Sequence, residues 1–153
     1  MMPDKRYSSK IRVRSCGLLF DQAKLLLIEL KSPVTNSWIW LPPGGSVELG
    51  ETIEETLIRE FEEETGLKVS VQKLMYFNEV IEPPIHAIEF YFLVNKVEGK
   101  MKLGIDPELE DSQQILRDIG FYSREEIKKM AVLPSYIKDQ LWVDLKSIKN
   151  EKL

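Results

Sequence analysis

The segment REFEEETGL, residues 59–67, holds four glutamates, and three of them could bind a cation together. On a helix that turns about 100° per residue, Glu60, Glu63 and Glu64 share one arc of about 100°, whereas Glu62 points away from them. Crowded carboxylates repel one another, and the C-terminal end of a helix disfavours negative charge. A hard divalent cation would offset both costs, and oxygen ligands favour Mg²⁺, with Mn²⁺ as a substitute.

A solvated acidic surface is the alternative interpretation of this helix taken alone. The apolar stripe Ile53, Leu57 and Phe61 recurs every fourth residue and adjoins the arc on its Glu64 side, so the carboxylates lie at the edge of the buried face. A zinc site is not expected, because the chain has one cysteine, Cys16, and one histidine.

The helix that carries these glutamates is predicted from Thr52 to Thr65, with Gly66 at the left-handed position that ends many helices. It follows the glycine-rich connection PPGGSVELGE, whose prolines end the short strand WIWL. Ser123 and Glu126 form a capping box for a second helix, SREEIKKM, and a third helix is predicted near the C-terminus.

Short apolar or alternating runs predict the strands of a sheet. The first two form a hairpin across the turn DQA, and EVIEPPI separates two later strands. The long polar segment 98–114 has the length of a functional or mobile loop. Strands interspersed with about three helices indicate a mixed α/β layered architecture. The predicted strands are 11–20, 24–30, 38–41, 67–77, 86–94 and 119–122.

The composition limits the class of protein. The 153 residues are 43% hydrophobic and 30% charged, which is typical of one folded, soluble domain. The net charge of −4 is local, since residues 51–64 carry −6 and the rest of the chain about +2. A single cysteine excludes an intramolecular disulfide, no apolar run has the length of a membrane span, and MMPDKRYSSK lacks the apolar core of a signal peptide. We therefore expect a cytoplasmic protein with neither membrane nor nucleic-acid partners.

The wider stretch GGSVELGETIEETLIREFEEETGL is similar to the Nudix box, the motif of the Nudix hydrolase (MutT-like) family. Gly45, Glu51, the run that begins at Arg59, and the closing pair Gly66 and Leu67 match the constrained positions of that motif. The preceding WLPPGG resembles the segment that leads into the box. The resemblance implies an α/β Nudix fold, an α/β/α sandwich with a mixed β-sheet, over a single domain at 1–153.

Nudix enzymes hydrolyse phosphoanhydride bonds of a nucleoside diphosphate linked to another group, with a divalent metal ion. By this resemblance Glu60, Glu63 and Glu64 are Mg²⁺ ligands and catalytic residues, and one of them, or a later carboxylate, activates the water. Arg59 belongs to the same catalytic set and is expected to orient a box carboxylate. Glu51 is first assigned a structural role, because an acid in the first turn of a helix suits its dipole.

Further candidates lie around the box. Gly44 and Gly45 would let the backbone turn tightly beside a bound phosphate, or would only connect strand to helix. An additional acidic ligand or base is sought among Glu108, Glu110 and Glu89, although a solvent-facing side chain is equally expected for the last of these. Aromatic residues in strands are usually core, and four are also candidates for stacking on a base: Trp38, Trp40, Tyr76 and Phe77.

The sequence leaves the substrate open among nucleotide sugars, ADP-ribose-like compounds and nucleoside triphosphates. Pro83 follows Leu67 by 16 residues, a spacing that resembles the ADP-ribose-cleaving branch of the family. His86 is expected to cap its strand. The alternative function is a Nudix-fold protein that binds a nucleotide without cleaving it, and the complete box favours the enzyme. The expected partner is a small-molecule nucleotide, and a homodimer is left open.

Overall fold

The computed structural model describes residues 10–32, 34–104 and 116–151, except the side chains of 150 and 151. Glu108 and Glu110 lie outside the described residues. The described part contains a seven-stranded sheet. Its strands are β1 (Arg12–Asp21), β2 (Lys24–Lys31), β3 (Trp38–Leu41), β4 (Gly44–Ser46), β5 (Leu67–Glu82), β6 (Ile85–Gly99) and β7 (Leu116–Ser123).

The sheet is mixed, as the sequence predicted. Its main strand order is β3-β2-β1-β6-β5, while β4 pairs with β1 and β7 pairs with β2. The pairing of β1 with β6 is parallel, and it aligns Arg14 with Glu89 and Cys16 with Tyr91. The other strand pairs are antiparallel. Strand β1 therefore lies between β4, which carries Gly44 and Gly45, and β6, which carries Glu89.

Strands β5 and β6 form a hairpin that is longer than the sequence predicted. The predicted strand ended at Phe77, whereas β5 continues to Glu82 and pairs with β6 as far as Ile85. A proline restricts only its own backbone and that of the residue before it, so the Pro83–Pro84 turn ends β5 without disturbing the residues ahead of it.

Helix α1 spans Ile53–Thr65, and its predicted ends are confirmed. The Thr52 side chain accepts a hydrogen bond from the Glu55 backbone N–H, and Gly66 ends the helix with a φ of 76°. The helix lies close on β1, because a Cβ atom at Gly17 would fall 2.7 Å from the Phe61 ring. This close approach fixes the height of α1 above the sheet.

Two hydrophobic clusters cover the two faces of the sheet, which confirms the α/β/α layering. The cluster on the α1 face contains Leu57 and Phe61 with Leu19 and Leu26, and the opposite cluster contains Leu18 and Leu25 with residues of the C-terminal helices. Neighbouring strand residues thus alternate between the clusters, as the pleat requires. The C-terminal elements are α2 (Arg124–Ile127), a 3₁₀ turn (Ser135–Ile137) and α3 (Gln140–Glu151).

Helix α2 is shorter than the predicted SREEIKKM segment. Its capping box between Ser123 and Glu126 is present, so the predicted start is confirmed. After Ile127 the backbone continues in tighter turns, with the Met130 N–H bonded to the Ile127 carbonyl, and the chain then bends to align Val132 with Trp40 of β3. Among the helices of the described residues, none is both long and apolar enough to cross a membrane.

Candidate active site

Helix α1 directs Glu60 and Glu64 toward the glycine strand β4. The Gly44 backbone N–H points at Oε2 of Glu64, with 3.4 Å between nitrogen and oxygen. A Cβ atom at Gly45 would overlap the Glu60 carboxyl group. Any larger residue at Gly45 would therefore displace this carboxylate.

The two carboxylates lie in an environment that opposes their charge. Burial, followed by repulsion from Glu60, raises the pKa of Glu64 well above its ordinary value, and the positive charge of Arg14 lowers it in part. Burial also raises the pKa of Glu60, against the attraction of Arg59. Both side chains thus gain from any positive charge that comes between them.

Glu63 and Glu62 are more exposed. The Glu63 side chain is 53% exposed, and both of its oxygens lie 3.4 Å from Nη1 of Arg59. Glu62 is exposed on the outer side of the helix, as the helical spacing predicted. Within the described ranges, no three His, Cys, Asp or Glu side chains converge closely enough to hold a metal ion. The structure therefore brings Glu60 and Glu64 together, while Glu63 is turned toward Arg59.

Arg59 connects the start of the helix to its acidic end. Its Nε and Nη2 atoms donate to the two oxygens of Glu51 at 2.7 and 2.9 Å, and Nη1 donates to Glu60 at 2.9 Å. Hydrogen bonds from Arg59 and from the Thr56 hydroxyl lower the pKa of Glu51 to about 2. The sequence suggested that Glu51 lies in the first turn of the helix and stabilises its dipole. Glu51 instead precedes the cap residue Thr52, and it contacts the helix through its hydrogen bonds with Arg59.

The prediction of a tight turn at Gly44 and Gly45 is wrong. Both residues belong to the extended strand β4, where Gly44 pairs with Cys16 and Gly45 pairs with Ser15. A Cβ atom at Gly44 would overlap the Ser15 carbonyl oxygen. Glycine is required here because backbone and carboxylates approach too closely for a side chain.

Glu89 is buried, so the expectation of a solvent-facing residue is wrong. The residue is 8% exposed, and its Oε2 atom accepts a hydrogen bond from Nη1 of Arg14 at 2.7 Å. Its other oxygen accepts one from the Tyr91 hydroxyl at 3.1 Å. An ion pair with Arg14 on the neighbouring strand allows this carboxylate to be buried.

Arg14 is the residue near the site that the sequence analysis missed. It lies on the same face of β1 as Cys16 and Leu18, whose side chains belong to the hydrophobic cluster opposite α1. A charged residue in phase with buried positions of a strand was the available signal, because such a residue needs a partner inside the protein.

Most of the aromatic candidates contact other parts of the protein. The Arg117 guanidinium covers the Trp38 ring at 3.9 Å, and Trp40 meets Tyr122 edge-on at 5.0 Å between centroids. Tyr76 stacks on Tyr136, with ring centroids 4.2 Å apart and planes 5° apart. Phe77 is 67% exposed. His86 lies near the start of β6, and its Nε2 atom is 3.0 Å from Oε2 of Glu79 across the hairpin.

The donor set at α1 and β4 fits a hard divalent cation. Glu60 and Glu64 offer only oxygen atoms, and Mg²⁺ is commonly held by one or two carboxylates together with water and substrate phosphates. Burial and the repulsion from Glu60 raise the pKa of Glu64, and such an ion would offset both costs of the charged carboxylate. Two converging carboxylates are therefore sufficient protein ligands for this class of ion.

Comparisons with known proteins identify the family of the chain. The sequence model of the NUDIX domain matches residues 10–140. An ADP-ribose pyrophosphatase of Methanocaldococcus jannaschii is 35% identical over 119 residues, which cover 67% of this chain and 70% of the relative. A Nudix hydrolase of Bacillus subtilis, YvcI, is 32% identical over 94 residues, which cover 58% of this chain and 56% of that protein. The solved structure of a MutT protein from Methanosarcina mazei has a TM-score of 0.71 at 22% identity and covers 92% of this chain and 97% of its own.

The chain therefore belongs to the Nudix hydrolase family. The predicted α/β fold and the predicted enzyme class, a Nudix-type pyrophosphohydrolase, are confirmed.

Proposed function

We propose that this protein hydrolyses a phosphoanhydride bond in a nucleoside diphosphate linked to a further group, with Mg²⁺ as cofactor and Mn²⁺ as a substitute. The observation that carries the proposal is the convergence of Glu60 and Glu64, two partly buried carboxylates that repel each other, on the glycine strand β4. The box around them supports the same chemistry.

In this proposal the side chains at the C-terminal half of α1 have different roles. Glu60 and Glu64 would hold the metal ion, which when bound supplies charge neutralisation at the phosphates and a water of lowered pKa. Glu63, on the same arc and half-exposed, is available to accept a proton from the attacking water. Arg59 orients Glu60 through its hydrogen bond of 2.9 Å while Glu51 holds the guanidinium.

ADP-ribose is the first substrate to test. The relative that matches over 119 residues is an ADP-ribose pyrophosphatase, so this chain is similar to a protein with that activity. Diadenosine polyphosphates, nucleotide sugars and nucleoside triphosphates share the phosphoanhydride bond and serve as the comparison set.

The experiment measures turnover of this set with Mg²⁺ in the protein as it is and in two matched variants. Glu64→Gln keeps the shape of the side chain but removes its charge, so we expect turnover to fall by about a hundredfold or more, as when a transition-state electrostatic contact is lost. Glu62→Gln changes the same chemical group on the exposed side of the helix and is expected to leave turnover within about twofold. EDTA should abolish turnover, and added Mg²⁺ should restore it.

Two outcomes would count against the proposal. Turnover that persists in Glu64→Gln, or that falls equally in Glu62→Gln, would place the metal ligands elsewhere. Micromolar binding of these compounds without hydrolysis of any of them would favour the alternative, a Nudix-fold protein that binds a nucleotide without cleaving it.

A further inference from the structure

Arg14 is held in place on the sheet beside the candidate metal ligands. Strands β1 and β6 align it with Glu89, and its Nη1 atom donates to Oε2 of Glu89 at 2.7 Å. The Tyr91 hydroxyl donates to the other oxygen of Glu89 at 3.1 Å, so the carboxylate is fixed from both sides. An arginine anchored in this way keeps the direction of its remaining N–H groups.

The remaining N–H groups of Arg14 can donate hydrogen bonds to a bound molecule. A guanidinium carries five N–H donors in a rigid fork. Within residues 10–32, 34–104 and 116–151, the hydrogen bond to Glu89 is the one that Arg14 makes, and it uses only Nη1. The Arg14 side chain keeps 21% of its surface exposed, so a bound molecule can reach it.

The position of Arg14 places a positive charge near the carboxylates of α1. Strand β4 pairs with β1 and aligns Ser46 with Arg14, while the neighbouring Gly44 N–H points at Glu64 and Gly45 lies against the Glu60 carboxyl group. The charge of Arg14 accordingly acts on both Glu64 and Glu60. A metal ion on these carboxylates and the guanidinium would repel each other if nothing lay between them. A polyanion between two cations removes that repulsion, and a diphosphate carries negative oxygens on both of its phosphorus atoms.

We propose that Arg14 binds a phosphoryl oxygen of the substrate's diphosphate, with Glu89 and Tyr91 holding its guanidinium in position. Arg14 is then a substrate-binding residue, and Glu89 is a positioning residue that acts through it. This inference rests on the proposed function, because it takes a nucleoside diphosphate compound as the ligand of the site. Planar arginine forks are well matched to phosphate oxygens, which lysine meets only as a point charge.

The test separates diphosphate binding from metal binding in the full chain. ADP is the probe, titrated in Ca²⁺, and Mn²⁺ is titrated alone. Arg14→Met should weaken ADP binding tenfold or more and raise KM for the hydrolysed substrate by a similar factor, with a smaller change in kcat. The same variant should bind Mn²⁺ as tightly as the unchanged protein or more tightly, because a positive charge near the carboxylates is lost. A merely structural role for Arg14 would weaken ADP and Mn²⁺ binding together.

Two further variants guard against a folding defect. Arg14→Met leaves Glu89 buried opposite no cation, so Arg14→Met combined with Glu89→Gln removes the unpaired charge and should show the same loss of ADP affinity. Arg14→Lys keeps the charge but not the fork and is expected to lie between Arg14→Met and the unchanged protein. Arg117→Met is the matched control, because Arg117 also binds a carboxylate, Glu29, with two hydrogen bonds of 2.8 Å, and it lies on β7.

The outcomes distinguish the two proposals. ADP affinity and KM that stay within twofold in the folded Arg14 variants would overturn the inference while hydrolysis by the unchanged protein still supports the proposed function. Absence of hydrolysis in the unchanged protein would overturn the proposed function instead, and the ADP titrations would still decide whether Arg14 binds the diphosphate. Equal losses in Arg117→Met would show that the effect is not specific to Arg14 and would also overturn the inference.

Discussion

At the scale of single residues, Arg59 pairs with some of the glutamates around α1 and leaves Glu64 without an ion pair to it. It binds Glu51 with two hydrogen bonds and Glu60 with one, and it is 3.4 Å from Glu63. Hydrogen bonding to Glu51 is the largest of the effects that raise the pKa of Arg59, so Glu51 is its principal partner. Glu64 makes no ion pair with Arg59 among the described contacts, so its carboxylate is left for the metal ion proposed above.

The pairing of Glu51 with Arg59 predicts a pH-dependent stability. The folded pKa of Glu51 is about 2, which is below the ordinary glutamate value near 4.3. A depressed folded pKa stabilises the protein above the unfolded pKa, and this contribution is lost as pH falls toward the folded value. Glu51→Gln should therefore lower the Tm at pH 7, and its difference from the unchanged protein should shrink between about pH 5 and pH 2.

Melting curves followed by circular dichroism from pH 7 to pH 2.5 check this prediction. Glu48→Gln is the control, because the Glu48 side chain is 74% exposed and lies 3.9 Å from Arg59, and it should change the Tm little at any pH. A Tm difference for Glu51→Gln that stays constant over the whole range would mean that shape, and not charge, makes Glu51 important.

At the scale of elements, the C-terminal end of α1 is enclosed by two backbone segments. Strand β4 lies beneath Glu60 and Glu64, and residues 100–104 cross the end of the helix. The backbone N–H groups of Lys102 and Gly104 donate to the carbonyls of Thr65 and Glu64 at 2.8 and 2.7 Å. These bonds satisfy carbonyls that a helix end leaves free, and they offset part of the cost of acidic residues there.

The two glycines of β4 should respond differently to substitution by alanine. At Gly45 the new methyl group meets the end of the flexible Glu60 side chain, which can move aside. At Gly44 it meets the backbone of Ser15 and Cys16, which cannot move without separating β4 from β1. Gly45→Ala should therefore reduce turnover at least about tenfold because Glu60 is displaced. Gly44→Ala should instead reduce the free energy of unfolding by about 1–3 kcal/mol.

Turnover and urea unfolding of both variants check this pair, and each variant is the control for the other. The prediction fails if Gly45→Ala is as active as the unchanged protein, since the Glu60 carboxylate would then not depend on the space at Gly45. It also fails if Gly44→Ala is fully stable, because β4 would then tolerate a side chain against β1.

At the scale of the whole molecule, one sheet separates two hydrophobic clusters, and Cys16 reports on one of them. The Cys16 side chain is 1% exposed, and burial raises the pKa of its thiol to about 12. The thiolate is the species that reacts with disulfide reagents. We propose that the chain folds as a single domain, so that Cys16 becomes reactive only when both layers unfold.

A disulfide reagent at pH 8 should therefore label Cys16 only over the urea range in which the whole protein unfolds. Tryptophan fluorescence reports on the cluster that contains Cys16, since Trp40 and Trp142 pack against it, and circular dichroism reports on the sheet and helices. We expect the three transitions to coincide, as a two-state unfolding requires. Labelling of the native protein, or labelling that precedes the loss of circular dichroism, would show that the layer around Cys16 opens separately.

Features that depend on nearby residues were predicted well from the sequence. Helix α1, its Thr52 and Gly66 ends and the phase of its glutamates follow from preferences that act within a few turns of one helix. The box also predicted the family, because its residues lie at fixed spacing along one segment of 23 residues, 45–67. The extended length of the β5–β6 hairpin was missed, because pairing between two strands kept residues beyond Phe77 in the sheet.

What the sequence by itself determined is the local chemistry: an acidic helix of the Nudix type, with Glu60 and Glu64 on its inner arc. Tertiary structure alone decided what surrounds them. Arg14 and Glu89 are 75 residues apart, and only the parallel register of β1 and β6 brings them within 2.7 Å. The pairing of strands also places Gly44 in β4 and buries Glu89. Neither could be predicted from the sequence, because burial and register depend on neighbours that are distant in sequence.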